Sequence, residues 1–307
     1  MSRPLNVLVL DDDVVTSMAP LHQFVDLMDG DNDRFVFRTL TDPQKLDSYL
    51  DEHREIDVVL VDVAYDRAGP ERTLTCLTAF DTLIRRNGPK GIGLAQSQYG
   101  RTLFPFAVCQ LLPPPAGQIV VGWTYKDDSP VRGYPETIRI LDEIAAGRGL
   151  RRPRTLRTCM PDVNQFTGNF INTILASQLD VRLWELMSIS HYSQRELHLT
   201  AGTHDVKTVQ RRMDAYLKAI WNFQTAMDQD EDEVHPMDGH AALGMLEHDG
   251  RDARHRAVET FAQLHRTFFQ APELEDLVKE RGLRESRGSR RRRGRREGTT
   301  WWKPYVR

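Results

Sequence analysis

Acidic side chains follow two short apolar stretches of this chain. Asp11 and Asp12 come directly after residues 6–10, and Asp62 ends the apolar run 57–62. Carboxylates that lie close together cannot all stay ionised unless a cation compensates their charge, and carboxylate oxygens are ligands that Mg²⁺ prefers. The residue types therefore predict a magnesium site where Asp62 meets the acidic run Asp11 to Asp13. The alternative is that the acidic run after the first stretch only opens a polar loop.

The two acidic stretches have the pattern of buried strands in a parallel sheet. Each is an almost continuous apolar run, and the residues that follow the first stretch recur at helical spacing as far as Gly30. A further strand over 34–40 and a helix opened by Asp42-Pro43 give the order βαβαβ. This order predicts an α/β fold, a doubly wound parallel sheet of five strands, with chemistry at the carboxyl ends of the strands.

A third motif places a lysine at the end of another apolar strand, in the segment Gly122-Trp-Thr-Tyr-Lys126-Asp127. With this motif the chain resembles, over about residues 4–148, the receiver domain of bacterial response regulators of the LuxR/NarL type. The resemblance implies a flavodoxin-like fold in which Asp62 accepts a phosphoryl group from a sensor histidine kinase. It also implies that Asp11 and Asp12 hold Mg²⁺ and that Lys126 contacts the phosphoryl oxygens.

Other positions depart from the receiver pattern. Receivers carry a proline four residues after the phosphoacceptor, where this chain has Asp66. The hydroxyl that turns toward the phosphoryl group is assigned to Ser97, with Gln96 as the alternative, and Trp123 stands where the family has Tyr or Phe. These departures affect the residues that rearrange after phosphorylation more than they affect the phosphoacceptor, Asp62. A receiver that is controlled without phosphorylation is therefore a second interpretation.

The following region is predicted to be an all-α output domain. Residues 149–161 are basic and contain Gly and Pro, as in a linker, and residues 162–227 are assigned to a helical connector and a DNA-binding domain. The segment 192–213 resembles the helix-turn-helix of LuxR/NarL-type regulators, with Gly202 at the turn. The predicted DNA contacts on its second helix are Lys207, Thr208, Gln210, Arg211 and Arg212, of which Gln210 and Arg211 are assigned to bases and Lys207 and Arg212 to phosphates.

The remainder of the chain extends beyond the usual regulator. Residues 228–285 are predicted to form a helical extension with helices over 239–248, over 252–270, and from Pro272 to Gly282. Residues 286–307 are rich in arginine and are predicted to be a disordered tail that follows DNA phosphates.

Composition limits the remaining possibilities. The chain has 307 residues, a net charge of −3 and three scattered cysteines, which form neither a disulfide framework nor a metal motif and suit a reducing cytoplasm. Neither a transmembrane run nor a signal peptide is expected, and no second nucleophile-and-base pair indicates an enzyme. The expected partners are a sensor histidine kinase, double-stranded DNA and a second copy of the chain, with no membrane. A protein-binding adaptor, with residues 155–282 as a helical interaction domain, is the alternative from another functional class.

Overall fold

A five-stranded parallel sheet organises the first half of the chain. The computed structural model describes residues 3–29, 34–65, 74–95, 103–113, 119–130, 133–147, 170–228 and 251–292. The strands are Leu5–Leu10 (β1), Phe35–Leu40 (β2), Val58–Asp62 (β3), Ala64–Tyr65 (β4), Leu74–Thr75 (β5), Lys90–Ala95 (β6) and Val120–Tyr125 (β7). The sheet has the order β2-β1-β3-β6-β7, whereas β4 and β5 form a separate antiparallel pair.

Helices cover both faces of this sheet, which confirms the predicted doubly wound fold. They are Val14–Asp29 (α1), Leu46–Glu52 (α2), Cys76–Arg86 (α3), Phe104–Leu111 (α4) and Tyr134–Ala145 (α5). The apolar side chains of α1 and α5 share a core with one face, and those of α2, α3 and α4 share a core with the other. The sheet therefore keeps its apolar strands away from water, and only its edges are available for chemistry.

The start and end of α3 have local causes. The Thr75 side chain accepts a hydrogen bond from Leu77 N and caps the helix, and Asn87 ends it with φ 47°, in the left-handed region. The sequence from Leu74 to Arg86 predicts a helix that is closed by Asn87-Gly88-Pro89. It begins two residues later because Leu74 and Thr75 pair with β4.

The second half is entirely helical in the residues that the structure describes. Its helices are Phe170–Ile174 (α6), Gln178–Ile189 (α7), Gln194–Ala201 (α8), Val206–Asp228 (α9), Arg251–Leu264 (α10), Arg266–Phe269 (α11) and Glu273–Arg292 (α12). None of the helices described is both long and apolar enough to cross a membrane. The predicted linker 149–161 and the predicted helix 239–248 lie outside the described residues.

Two predictions for the extension are corrected. The helix expected over 252–270 is divided at His265 into α10 and α11. The predicted end at Gly282 is wrong, because α12 continues to Arg292. A glycine inside a helix costs only about 1 kcal/mol, and beyond it Arg284 donates a hydrogen bond to the carbonyl of Leu111. Residues 286–292 of the predicted disordered tail are therefore helical, and residues 293–307 lie outside the described residues.

Aromatic side chains join the two halves in one core. Phe104 of α4 meets Phe268 edge-to-face with ring centroids 5.2 Å apart, and Phe106 meets Phe223 of α9 at 4.9 Å. Phe170 of α6 stacks on the same Phe223 at 4.1 Å. The helical half thus packs directly on α4, and the two halves share one hydrophobic core.

Candidate functional site

The predicted acidic cluster forms at the carboxyl edge of the sheet. Strands β1 and β3 are neighbours, with Leu10 in register with Val61, so that Asp11 and Asp62 leave the sheet side by side. One carboxylate oxygen from each of Asp11, Asp12 and Asp62 lies within 4.8 Å of the others. Asp11 is fully buried and Asp62 is 4% exposed. The sheet topology therefore concentrates negative charge where little water can screen it.

Lys126 enters this cluster from the far side of β6. Its backbone N–H donates to Ala95 O at 2.8 Å, which holds it at the end of β7. Its Nζ lies 2.7 Å from Asp11 Oδ2 and 2.9 Å from Asp62 Oδ1. The lysine side chain is 4% exposed, so this ammonium is a buried cation shared by two carboxylates.

Burial and charge shift the pKa values of both partners. Burial raises the pKa of Asp62 to about 7, and the nearby Asp11 carboxylate adds to this rise, whereas Lys126 opposes it. For Lys126, burial disfavours the charged form, but Asp62 and Asp11 outweigh it and raise the pKa of the ammonium. Near neutral pH the cluster therefore contains a protonated lysine beside the Asp62 carboxyl group, whose pKa is close to that pH.

Other residues, which the sequence did not indicate, surround the acidic cluster. The Ser17 hydroxyl donates to Asp11 Oδ2, and Asp13 N donates to Asp11 Oδ1 at 2.8 Å. Tyr134 of α5 is buried close by, and burial together with the charge of Asp11 raises the pKa of its phenol. Only the apposition of α1 and α5 brings Ser17 and Tyr134 here, and no motif marks either residue.

The donor set fits a divalent cation. The cluster offers hard carboxylate oxygens from three residues at one buried point, which are the ligands that Mg²⁺ takes in proteins. Asp11, Asp12 and Asp62 are thus the residues that would hold the metal.

The predicted switch residues are only partly described. Ser97, its alternative Gln96, and Asp66 lie outside the described residues. Trp123 is buried, with its ring against Gly93 on the neighbouring strand and 5.5 Å from the ring of Phe80. The absence of a side chain at Gly93 makes the room for this large aromatic residue, which sits inside the core rather than at the surface.

The helix-turn-helix prediction matches the local geometry of α8 and α9. Leu197 and Ala201 of α8 face inward, as expected. Gly202 has φ 67° and ends α8 in the left-handed conformation that the turn requires. Asp205 then accepts a hydrogen bond from Thr208 N at 2.6 Å and so caps α9.

The five predicted DNA-contacting side chains have different environments. Lys207 and Arg211 are exposed, whereas Thr208 and Gln210 are half-buried. Arg212 is also half-buried, with Nη1 3.2 Å from Oδ1 of the fully buried Asp180. The same Asp180 oxygen accepts a 2.5 Å hydrogen bond from Tyr216. Arg212 thus contributes to the contact between α9 and α7. The helical spacing of Val206, Val209 and Met213 predicts one buried face on α9, but Val206 is 37% exposed.

A buried glutamate supports the segment that leads into α8. Glu259 of α10 is 2% exposed and accepts a 2.9 Å hydrogen bond from Tyr192 N. Its carboxylate also lies 3.1 Å from His191 Nδ1 and 3.2 Å from His255 Nε2. Burial alone would raise its pKa, but these donors outweigh burial and lower the pKa of Glu259. The C-terminal extension therefore packs against the helix-turn-helix and holds in place the segment that leads into α8.

Comparison with known proteins gives matches only among solved structures. No protein-family model and no curated protein matches the sequence. One similar structure is the two-component response regulator RcsB in complex with DNA, with 14% identity, a TM-score of 0.43, and coverage of 74% of this chain and 100% of that chain. Another contains two RcsB dimers bound to two parallel DNAs, with 13% identity, a TM-score of 0.40, and coverage of 73% and 98%.

A third similar structure is RcsB from Salmonella enterica serovar Typhimurium bound to promoter rprA in the presence of phosphomimetic BeF3⁻. It has 12% identity, a TM-score of 0.37, and coverage of 73% of this chain and 98% of that chain. These values are too low to assign this chain to a family. The fold described above therefore rests on the order of its own strands and the placement of its own helices.

Proposed function

We propose that this chain is a DNA-binding regulator of the response-regulator kind, in which Asp62 accepts a phosphoryl group. The observation that carries the proposal is the position of Lys126, whose Nζ bridges Asp11 and Asp62 at the carboxyl edge of the sheet. A carboxylate nucleophile, a site for a divalent cation and a lysine are the groups that phosphoryl transfer requires.

The chain's own residues have distinct roles in this transfer. An Asp62 oxygen attacks the phosphorus atom of the donor, the bond from phosphorus to the leaving group breaks, and the leaving group takes the electron pair. Asp62 must be ionised to attack, and Lys126 favours the ionised form because it lowers the pKa that burial raises. Magnesium, when bound by Asp11, Asp12 and Asp62, supplies positive charge that neutralises the transferred group. Lys126 then donates from Nζ to the phosphoryl oxygens.

A sensor histidine kinase is the proposed phosphoryl donor, since its phosphohistidine has the chemistry that a carboxylate nucleophile accepts. The proposal also includes a homodimer. In the receivers that this chain resembles, dimers form around the last helix and the one before it, which are α5 and α4 here. In this chain α4 is covered by the helical half through Phe104 and Phe106. A dimer of the described conformation would therefore use α5 and not α4.

The output would be sequence-specific binding to double-stranded DNA through α9. Lys207 and Arg211 are exposed on its first two turns, beside Thr208 and Gln210, so these side chains can reach a major groove. Gln210 and Arg211 remain the residues proposed for base contacts, and Lys207 is proposed for a phosphate. Arg212 is the weaker candidate for a phosphate, because Asp180 already compensates its charge.

The proposal is tested by selecting bound fragments from a genomic pool with the full chain, with and without acetyl phosphate and Mg²⁺. We expect a shared sequence motif that is enriched more strongly with the donor. Asp62→Asn should lose the effect of the donor, and a Gln210→Ala, Arg211→Ala variant should lose the motif. Enrichment that is the same with and without acetyl phosphate would favour control without phosphorylation. No enrichment at all would favour a protein-binding adaptor.

A further inference from the structure

A glutamate from the C-terminal extension contacts the first turn of α3. Glu273 is the first residue of α12, and its Oε1 accepts hydrogen bonds from Thr75 N at 3.0 Å, Thr75 Oγ1 at 3.2 Å and Thr78 Oγ1 at 2.5 Å. Thr75 is fully buried. One carboxylate oxygen therefore receives three donors from a helix that lies nearly two hundred residues earlier in the chain.

This contact replaces a missing part of a helix cap. In a capping box, the third residue of the helix is Glu or Gln, and its side chain accepts a hydrogen bond from the N–H of the capping residue. In α8, Glu196 does this for Ser193 N at 2.7 Å. In α3 the corresponding residue is Thr78, which has no acceptor long enough, and Glu273 takes the N–H of Thr75 instead. The cap of α3 is thus completed from α12.

The same cap is connected to Asp62 through the backbone. Val63 N donates to Asp62 Oδ1 at 2.7 Å, and Val63 O accepts from Cys76 N at 3.0 Å. Cys76 follows Thr75, whose own N–H donates to Glu273. Three hydrogen bonds, joined through the backbone of Val63 and of Thr75–Cys76, therefore lead from the Asp62 carboxylate to α12.

We propose that Glu273 is a latch that regulates the Asp62 site, closing the C-terminal extension on α3 in the unphosphorylated protein and releasing it when Asp62 is phosphorylated. The latch rests on the proposed function of Asp62. The latch transmits the phosphorylation state of Asp62 to the helical half of the chain.

The direction of the coupling follows from the partners of Asp62. With the latch closed, Asp62 Oδ1 accepts from both Lys126 and Val63. Transfer of a phosphoryl group turns the carboxylate into an acyl phosphate and adds three strongly accepting oxygens, which compete for these two donors. Val63 is the residue whose carbonyl positions the first turn of α3, and its displacement weakens the geometry that Glu273 requires.

The closed contact also includes one unfavourable feature. All three donors reach Glu273 Oε1, whereas the buried Oε2 has no hydrogen-bond partner among the described residues. A buried carboxylate oxygen without a donor is unfavourable, and exposure to water removes this cost. The closed state is therefore stabilised by the cap and opposed by the desolvation of Oε2, as a two-state element requires.

Two further contacts hold α12 against α3 and α4. Glu280 of α12 pairs with Arg85 at the other end of α3, at 3.0 Å, and Arg284 donates to the Leu111 carbonyl at the end of α4. Since α12 also packs on α7, and α7 packs on α8, release of the first turn of α12 frees an element that lies next to the helix-turn-helix.

Coupling between two sites is reciprocal, so opening the latch must favour the phosphorylated state of Asp62. The test is titration of the full chain with the phosphoryl mimic beryllofluoride and Mg²⁺, followed by fluorine NMR. Glu273→Gln weakens the acceptor, and Thr78→Val removes a donor on the opposite side of the contact. The matched control is Glu275→Gln, an exposed residue of the same first turn of α12.

We expect both latch variants to bind the mimic more tightly than the wild type, by about 5-fold or more, within the usual range of coupling between sites. The double variant should gain little beyond either single one, and Glu275→Gln should match the wild type. Equal affinity in all the proteins overturns the latch while leaving phosphorylation of Asp62 intact. Failure of the wild type to bind the mimic instead overturns the proposed function, and the latch with it.

Discussion

Lys126 and Asp62 form an ion pair with 2.9 Å between Nζ and Oδ1, although they follow strands that are separated by β6. Both side chains are almost fully buried, so the charge of each strongly affects the other. Phosphoryl acceptance by Asp62 should therefore depend on the Lys126 ammonium and on pH. Both can be varied, by substitution of Lys126 and by a change of buffer.

Replacement of Lys126 by Met should abolish most phosphoryl acceptance. The variant loses the cation that lowers the pKa of Asp62 and that would hold the phosphoryl oxygens. We expect the rate of phosphorylation from acetyl phosphate to fall by about 10²-fold, the usual effect of removing one donor to a developing anion. Lys218→Met, an exposed lysine on α9, is the control. An unchanged rate in Lys126→Met would show that the lysine only balances charge in the resting protein.

The stability of the protein should depend on pH through Asp62. Burial raises the pKa of Asp62 from 3.8 to about 7, so its contribution to stability is fully present below pH 3.8 and is lost as pH rises through about 7. Asp62→Asn removes the charge and should unfold at higher urea than the wild type near pH 8 with EDTA present. A shift of one pKa unit corresponds to roughly 1.4 kcal/mol. We expect the free energy of unfolding to increase by only about 1–2 kcal/mol, less than the whole shift would give, because the ion pair with Lys126 is also lost.

The difference between Asp62→Asn and wild type should shrink toward pH 5, where Asp62 is neutral in the folded protein. Asp276→Asn changes an exposed carboxyl group on α12 and serves as the control. A difference that is the same at both pH values would mean that the charge of Asp62 is fully compensated in the folded state.

Glu259→Gln should destabilise the helical half. The carboxylate accepts from Tyr192 N and lies beside His191 and His255, and these donors lower its pKa. We expect a loss of about 1–3 kcal/mol at neutral pH, the cost of weakening buried hydrogen bonds to a charged group. Because the pKa is lowered, the stabilisation is present above 4.5 and is lost as pH falls through the folded pKa, so the variant and the wild type should converge in acid. Urea unfolding at several pH values would measure this, and a constant difference would contradict it.

Arg211 and Arg212 should have separable effects although they are neighbours. Arg211→Ala should leave the urea midpoint unchanged and weaken binding to the selected DNA site by about 1–3 kcal/mol, as expected for a base contact. Arg212→Ala should mainly lower stability, because it leaves the buried carboxylate of Asp180 with fewer partners. Fluorescence anisotropy with specific and unrelated DNA, together with urea unfolding, distinguishes the two. The opposite pattern would show that α9 presents its other side to DNA.

The acidic edge could be predicted from the sequence because it depends on local patterns. Apolar runs define the strands, and the carboxyl ends of parallel strands converge at one edge whatever the loops between them do. Asp11, Asp12, Asp62 and Lys126 each follow such a run, so their meeting required no knowledge of side-chain packing. The turn at Gly202 was equally accessible, because a single residue in the left-handed conformation ends α8.

The contacts between the halves could not be predicted in this way. Glu273 and Thr75 are far apart in the chain, and neither belongs to a motif. Helical spacing placed Arg212 on the polar side of α9, but it could not show that Asp180 of α7 reaches it. Gly282 has the composition of a helix end, yet the packing of α12 on α4 and α7 overrides this local preference.

Phosphoryl transfer to Asp62 can be observed directly by incubating the full chain with acetyl phosphate and Mg²⁺ and locating the modification by mass spectrometry. We expect one acid-labile phosphoryl group on the peptide that contains Asp62, its loss in Asp62→Asn, and its strong reduction with EDTA. A chain that stays unmodified under these conditions, or that is modified equally in Asp62→Asn, would show that Asp62 is not a phosphoryl acceptor.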